Sequence, residues 1–402
     1  MQEMFMKVNQ ESFLGKLFKR YKNSYLSYFL MYNFYYLSWA LFSSFISVYL
    51  LDKGYKPSDV SLVVSMSFLT SMAVQPLIGV LSDKFNIKFI NTVLFILAAI
   101  GGIYFLYASS LIEIMIGYSF VLTLLNGTNP VMERIATTSP YKYGSIRIWG
   151  TIGYALGSQC AGLIYDFISP SAMFIVFVFT MMICVFGMLG TSSNSESKEA
   201  KKQEGNLFKN VLMNKKYIYF LIIAALFAGV TNTVGTFTPA YFQSEELDVS
   251  VVSLIVSLAV IFEASIVLFS HKFMDKIANK ALLIIAFGMI LGLYMIYALN
   301  LPLPLQIIAT FLVKHPAGML FIMINLKIVN TLVDSKYQLT ALAFVQTCRN
   351  LSSVIFQNIG GYLLNIATYQ VLFLGCIVVV CFGLILVLAF KIPSGNDQKL
   401  FH

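Results

Sequence analysis

The chain has 402 residues, of which 58% are hydrophobic and 11% charged, and its mean hydropathy is +0.79. These values lie well outside the range of water-soluble globular proteins. The formal net charge of +9 suits contact with anionic lipid, whereas binding of nucleic acid would need the basic residues gathered on one soluble surface. We therefore expect a lipid bilayer around the chain and no nucleic-acid partner.

Apolar segments long enough to cross a bilayer follow one another along the chain. About 20 apolar residues span the hydrocarbon core as a helix, and a helix satisfies its own backbone polar groups, as lipid demands. The segments are 24–51, 60–81, 88–109, 111–136, 144–168 and 171–190, then 217–242, 250–272, 280–299, 302–331, 337–365 and 368–391. The pattern predicts an all-α integral membrane protein with twelve transmembrane helices.

One polar stretch, 191–216, separates two sets of six spans. It is rich in Ser, Lys and Glu and has no apolar period, which predicts a loop. The predicted organisation is an N-terminal segment 1–22, a six-helix bundle 23–190, a central loop 191–216, a second six-helix bundle 217–392 and a tail 393–402. No cleavable signal peptide is apparent in the first 22 residues, so we expect the first span to be retained.

The distribution of Lys and Arg predicts the orientation. These residues concentrate before the first span, in 191–216 and in the loops on the same side, whereas the acidic run EELD (245–248) falls on the other side. Cytoplasmic loops carry the excess of positive charge. We therefore predict a multi-pass protein of the cell membrane with both termini in the cytoplasm.

The sequence contains few signals of an enzyme or a metal site. The five cysteines all fall inside predicted spans, without a paired CxxC, which favours small buried apolar residues over disulfides or zinc ligands. HExxH, GxSxG and phosphate-loop patterns are absent from the 402 residues. We therefore expect no enzymatic activity, no metal and no cofactor.

The two halves of the chain repeat one charged pattern. LSDKFNIK (81–88) follows the second span and FMDKIANK (273–280) follows the eighth, and in each a second Lys comes five residues after the Asp. The fifth and eleventh spans each carry an isolated arginine, Arg147 and Arg349. Six-helix repeats with a substrate site between them at mid-depth are one architecture of secondary transporters.

The first of these loops also resembles a family motif. GVLSDKFNIK (79–88) is similar to the G-x-x-x-D-[RK]-x-x-x-[RK] loop of the major facilitator superfamily. The resemblance implies the major facilitator fold, two six-helix bundles related by a pseudo-two-fold axis. Its charges stay in water, and its acid can accept bonds from a helix start or a cation. We expect the loop to lock helices in one conformer and release them in the other, through Gly79, Asp83, Lys84, Lys88 and the repeated Asp275; a simple solvated turn is the alternative.

Four blocks resemble one branch of that superfamily, the oligosaccharide:proton symporters such as lactose permease. They are QPLIGVLSDK (75–84), NGTNPVMER (126–134), YGSIRIWGTIGYALGS (143–158) and FEASIVLF (262–269). The resemblance implies a monomer that takes up a small molecule, a sugar or similar polyol, with the proton as coupling ion. A transporter of a nucleoside, an aromatic acid or a drug remains the alternative, because the fold does not determine the substrate.

The resemblance also assigns substrate-binding residues. A charge at mid-bilayer costs several kcal/mol, so it faces the bundle interior and pairs. The N-x-x-x-P spacing carries the family's acid onto Glu133, and GSIRIWG carries its arginine onto Arg147. A carboxylate and a guanidinium can each bind two vicinal hydroxyls. Tyr154 stands where the family has a stacking tryptophan and either covers the substrate or packs between helices. Apart from the resemblance, the amide of Asn232 is a further candidate, which would suit a nucleoside.

Proton coupling is expected in the second half of the chain. Glu263 interrupts the apolar run VSLAVIFEASIVLF, and a carboxyl in a low-dielectric pocket binds its proton more tightly than in water. His315 resembles the family's helix-ten histidine and is the competing carrier, while Arg349 resembles its helix-eleven cation, with Glu263 as expected partner. The acid that the family carries three residues after that histidine is Gly318 here, so Glu263 or His315 must take over its role, or the protein is not proton-coupled.

Overall fold

The computed structural model describes residues 19–192, 213–334 and 337–392. The predictions for 1–18, for most of the central loop (193–212) and for the tail 393–402 therefore concern residues outside the described part of the chain. Within the described part the chain is helical, and its helices follow the predicted spans.

Twelve long helices run through the described residues. They are α1 (Tyr25–Asp52), α2 (Pro57–Lys84), α3 (Ile87–Tyr107), α4 (Leu111–Thr137), α5 (Tyr143–Phe167), α6 (Ala172–Gly190), α7 (Lys215–Ser244), α8 (Val249–Phe273), α9 (Asn279–Ala298), α10 (Leu303–Leu332), α11 (Gln338–Ile366) and α12 (Tyr369–Ala389). Ten are apolar enough to cross a membrane by length and composition; α5 and α11 fall short. The prediction of an all-α membrane protein with twelve transmembrane helices is confirmed.

The same helix pairings occur in both halves. In the first half α1 packs on α5 and α6, α2 on α4, and α3 on α4 and α6; in the second half α7 packs on α11 and α12, α8 on α10, and α9 on α10 and α12. Each pairing in one half thus has its counterpart six helices later. The predicted architecture of two six-helix bundles with a pseudo-two-fold relation is confirmed.

Glycines set the distance between α1 and α5. A Cβ at Gly153 would overlap the backbone carbonyl of Asn33, and one at Gly157 would overlap that of Leu37. Small residues allow two membrane helices to approach until their backbones touch. The glycine spacing in the fifth span therefore fixes α5 against the tyrosine-rich α1, and with it the side chains that α5 presents to the interior.

The second lysine of each repeated loop binds the last helix of its own half. Lys88, at the start of α3, donates from Nζ to the carbonyl oxygens of Leu189 and Thr191, the latter at 3.1 Å. Lys280, at the start of α9, donates in the same way to Leu388 near the end of α12. The last carbonyls of a helix have no partner within the helix and attract cations. Both lysines therefore stabilise helix ends.

The predicted conformational role of this loop stays a prediction. Gly79 and Lys84 lie in the last turns of α2, and Asp275 lies in the turn after α8. The side chain of Asp83 lies outside the described part of the structure.

The two halves meet along α2 with α11 and along α5 with α8. The carboxylate of Asp166, at the end of α5, accepts the backbone N–H of Ser250 in the first turn of α8 at 2.6 Å. The amide oxygen of Asn365, at the end of α11, accepts the N–H of Ser58 in the first turn of α2 at 3.1 Å. Each half thus caps a helix of the other, and the halves are closed at the face predicted to be outside the cell.

Candidate functional site

A cavity of about 440 Å³ lies between the two halves. Polar and aromatic residues of both halves line it, among them Trp39, Ser43, Ser44, Tyr118, Asn126 and Tyr154 from the first half, and Asn232, Thr236, Glu263, Lys314, His315 and Arg349 from the second. Cavities at the interface of transporter repeats bind the substrate near the middle of the bilayer. This cavity is therefore the candidate site.

Irregular helix geometry borders the cavity on both sides. α1 is interrupted between Ser43 and Ile46, and both residues line the cavity. α10 contains a π-helical segment, Thr310–Lys314, directly before His315. Pro316, next in the chain, has no N–H to donate to the preceding turn, and π-helical turns are frequent at functional sites. The segment brings the consecutive Lys314 and His315 to the same cavity.

Glu263 and His315 contact each other inside the cavity. Nδ1 of His315 lies 3.3 Å from Oε2 of Glu263, and each side chain is 24% exposed. The residues come from α8 and α10 and are 52 positions apart in the chain. A carboxyl and an imidazole in contact can bind one proton on either partner, and they lie where water reaches them from the cavity.

Arg349 also lines the cavity, but the structure does not place it against Glu263. Its Nη1 donates to the amide oxygen of Gln346, one turn away on the same helix, at 3.3 Å. Its Nε is buried without a hydrogen-bond partner. Gly318, where the family carries an acid, faces open space within the cavity, since nothing lies within 4 Å of the position of an added Cβ.

Glu133 and Arg147 contact each other, as predicted, but near one end of the bundle. Nε of Arg147 lies 3.4 Å from Oε1 of Glu133. The same carboxylate accepts the hydroxyls of Tyr32 and Tyr143, each at 2.7 Å, and of Tyr36 at 3.3 Å. Glu133 lies four residues before the end of α4, and Arg147 four after the start of α5. The pair therefore lies one turn from the predicted cytoplasmic face, away from the residues that line the cavity.

Trp39 connects this pair with the cavity and was missed in the sequence. Its ring lines the cavity and stacks on Tyr36, with ring centroids 6.1 Å apart and an angle of 10° between the planes. Tyr36 in turn donates to Glu133. The signal was available: Trp39 is one of two tryptophans in the chain, and the other, Trp149, is engaged at the helix ends with Tyr25.

The predicted polar residues of the interior line the same cavity. Tyr154 lies in the lining together with Ser43 and Ser44. The amide nitrogen of Asn232 donates to Ser353 at 2.6 Å, which fixes the orientation of the amide. Asn126, the first residue of the N-x-x-x-P motif, donates to Ser71 at 3.1 Å and also lines the cavity. Aromatic rings and oriented amides thus surround the space from both halves.

The family model of the Major Facilitator Superfamily matches residues 28–356. The chain belongs to this superfamily. The superfamily member is therefore a membrane transporter of small molecules that crosses the lipid bilayer many times, and it is not an enzyme.

Relatives and solved structures agree with this assignment. The chain is similar to the transporter YwbF of Bacillus subtilis, with 23% identity over 85% of this chain and 88% of that protein. It is similar to the melibiose permease of Enterobacter cloacae, with 23% identity and 92% of each chain covered. A crystal structure of the nucleoside transporter NupG has the same fold, with a TM-score of 0.78 and 15% identity over 91% of this chain and 97% of that one.

Proposed function

We propose that this superfamily member takes up a sugar, an oligosaccharide or a similar polyol together with a proton. The observation that carries the proposal is the Glu263–His315 contact of 3.3 Å inside the cavity between the halves. Because the two halves rock about this site, a proton-binding pair there is exposed to each side of the membrane in turn. The similarity to melibiose permease supports a sugar as the substrate.

In the proposed cycle, proton and solute enter the cavity from outside and leave it to the cytoplasm. We propose that the proton travels on the Glu263–His315 pair. When the cytoplasmic side opens, water enters the cavity and accepts the proton from the pair. Arg349, which also lines the cavity, is the cation that we propose approaches the carboxylate in the opposite conformer.

We propose that the solute lies between rings and hydroxyl-binding groups. Trp39 and Tyr154 offer aromatic faces in the cavity, and Asn232 offers an oriented amide. Glu133 and Arg147 bind hydroxyl groups nearer the predicted cytoplasmic face, because a carboxylate and a planar guanidinium each suit two neighbouring hydroxyls. In this arrangement the solute moves from the cavity to Glu133 and Arg147 on its way to the cytoplasm.

A nucleoside is the second candidate, and one observation favours it. Aromatic rings, among them those of Trp39 and Tyr154, line the cavity together with two amides, those of Asn126 and Asn232. Stacking on a ring combined with amide hydrogen bonds is a general way to bind a nucleobase. Uptake of radiolabelled sugars compared with radiolabelled nucleosides in a host deficient in both decides between the two candidates.

The test of coupling is proton uptake by proteoliposomes at zero membrane potential. We expect a transported sugar to drive proton entry in the wild type, and Glu263→Gln to abolish it while leaving exchange of labelled for unlabelled sugar intact. Glu245→Gln, which removes an acid outside the cavity, is the matched control and should behave like the wild type. Proton entry that persists in Glu263→Gln and disappears in His315→Gln would transfer the role to His315; its absence in the wild type would contradict symport.

We also propose that the protein works as a monomer with both termini in the cytoplasm. The cavity and the proposed proton-binding pair are built within one chain, so a second copy is not needed to complete the site. The excess of Lys and Arg on the side of the termini supports the orientation.

A further inference from the structure

We propose that the transported solute carries an anionic group, a carboxylate or a phosphate, which Arg349 and Lys314 bind in the second half of the cavity. The inference rests on the proposed function only in taking this cavity as the substrate site. It narrows the solute from a neutral polyol to an acidic one.

The guanidinium of Arg349 has no carboxylate partner in the described part of the chain, residues 19–192, 213–334 and 337–392. Its described hydrogen bond goes to a neutral amide oxygen, that of Gln346, and its Nε is buried without any partner. A buried donor without an acceptor, on a planar group suited to carboxylate and phosphate, is what an anion-binding arginine needs.

Lys314 is a second cation of the same kind. It ends the π-helical segment of α10 and lines the cavity. In the described part of the chain, its ammonium group forms neither an ion pair nor a hydrogen bond. Lys327, further along the same α10, shows the contrast: its Nζ donates to the carbonyls of Met274 and Ile277. Lys327 thus has acceptors in the protein, whereas Lys314 has none among the described residues.

The charges in the cavity do not balance. Among the described residues its charged lining consists of Arg349, Lys314 and one acid, Glu263, and that acid is in contact with His315. A charge in the membrane interior is costly unless it pairs. Even with Glu263 ionised and His315 neutral, the cavity carries one positive charge in excess. A neutral sugar leaves this charge without a partner, whereas a solute with one negative charge compensates it.

A competing role for Arg349 is the one in the proposed proton cycle, as a partner for Glu263 in another conformer. The two roles make different predictions. A partner of Glu263 affects acidic and neutral solutes equally, because it acts through the carboxylate. A ligand of the solute changes the ratio between acidic and neutral solutes, and that ratio is the quantity to measure.

The experiment compares matched solutes on purified protein in detergent, with binding followed by isothermal titration calorimetry. The pairs are glucuronate with glucose and glucose 6-phosphate with glucose, and 3-phenylpropionate with 3-phenylpropanol is a pair without sugar hydroxyls. We expect one acid to bind about 10- to 100-fold more tightly than its neutral counterpart, as for hydrogen bonds between charged groups. The two sugar pairs distinguish a carboxylate from a phosphate.

Variants then assign the preference to its residues. Arg349→Gln and Lys314→Gln should each reduce the preference about tenfold or more, while Arg349→Lys should keep part of it, because the charge remains but the planar fork is lost. Lys53→Gln, which removes a cation outside the cavity, is the matched control and should leave the ratio unchanged. The wild-type comparison needs no variant, so it decides the question even if a variant does not fold.

Each outcome has one meaning. If no acid binds more tightly than its neutral counterpart, the inference is wrong. If glucose is carried with protons and the acids are not preferred, the inference fails while the proposed function stands. If 3-phenylpropionate is preferred and neither sugar acid binds, the anion site is supported while the proposed sugar substrate is contradicted.

Discussion

Two hydrogen bonds between the halves, from Ser250 to Asp166 and from Ser58 to Asn365, hold the outer face closed. Their removal should increase the population that is open to the outside. We consider Asp166→Ala, which removes the carboxylate that accepts the N–H of Ser250 at 2.6 Å. That N–H lies in the first turn of α8, where helix geometry offers no acceptor. Opening the outer face separates α5 from α8. In the wild type this opening breaks the hydrogen bond, whereas in the variant the bond is already missing and opening costs less free energy.

The size of the effect follows from the cap. Loss of a side chain that caps a helix start costs about 0.5 to 2 kcal/mol, and each 1.4 kcal/mol changes an equilibrium tenfold. Asp166→Ala should therefore raise the population open to the outside by about 2- to 30-fold. Asn365→Ala removes the equivalent neutral cap on Ser58, at 3.1 Å, and should act at the lower end of this range. Asp166→Asn, which keeps an acceptor, is the control and should have the smallest effect.

The assay is the rate at which an impermeant maleimide labels a single cysteine from outside. Val64→Cys reports on the cavity, because Val64 lines it and is 5% exposed. Lys53→Cys, at the end of α1, reports on the outer surface and should label equally in all variants. When opening is fast, the labelling rate follows the open population. Equal rates at Val64→Cys in the wild type and both alanine variants would refute the reasoning.

Three further predictions address topology, packing and the polar pair. Cysteines at Ser195, outside the described residues, and at Ser244 should react with the impermeant maleimide from opposite sides of the membrane; equal labelling of intact cells would contradict the orientation. Gly318→Ala should raise the free energy of unfolding by about 0.5–1 kcal/mol, because the added methyl group contacts nothing and helix propensity improves. Gly153→Ala should lower it by about 1–3 kcal/mol, because its methyl group overlaps α1. Equal melting temperatures of the two variants would contradict this packing. Arg147→Lys should weaken substrate binding about tenfold or more in calorimetry, because an ammonium lacks the planar fork, and wild-type affinity would make the pair structural.

Much of the fold follows from the sequence because lipid leaves few solutions. Each apolar segment must satisfy its own backbone hydrogen bonds, so length and hydropathy predict a helix for every span. The repeated loops at 81–88 and 273–280 predict two related halves, and the helix pairings confirm them. The glycines of the fifth span, Gly153 and Gly157, predict close approach because a small residue on an apolar helix has few other uses.

The candidate site follows from the sequence only in part. Charged residues in apolar spans can be named from the sequence, because lipid makes them costly. Their depth and partners depend on helix rotation and on contacts that the chain makes over long separations. Glu263 and His315 are 52 residues apart and meet only because α8 packs on α10. The packing of α1 against α4 and α5 likewise determines what surrounds Glu133 near the end of α4, and it places Trp39 in the cavity.

Composition and pattern by themselves determined the membrane class, the number of helices and their division into two halves, because these depend on each segment and its solvent. Only the tertiary structure decided which face of each helix turns inward. It brought the consecutive Lys314 and His315 to the same cavity after a π-helical turn, and it left Arg349 without a counterion in the described cavity. These features arise from contacts between distant segments, because a helix rotated by one residue would point the same side chain at lipid.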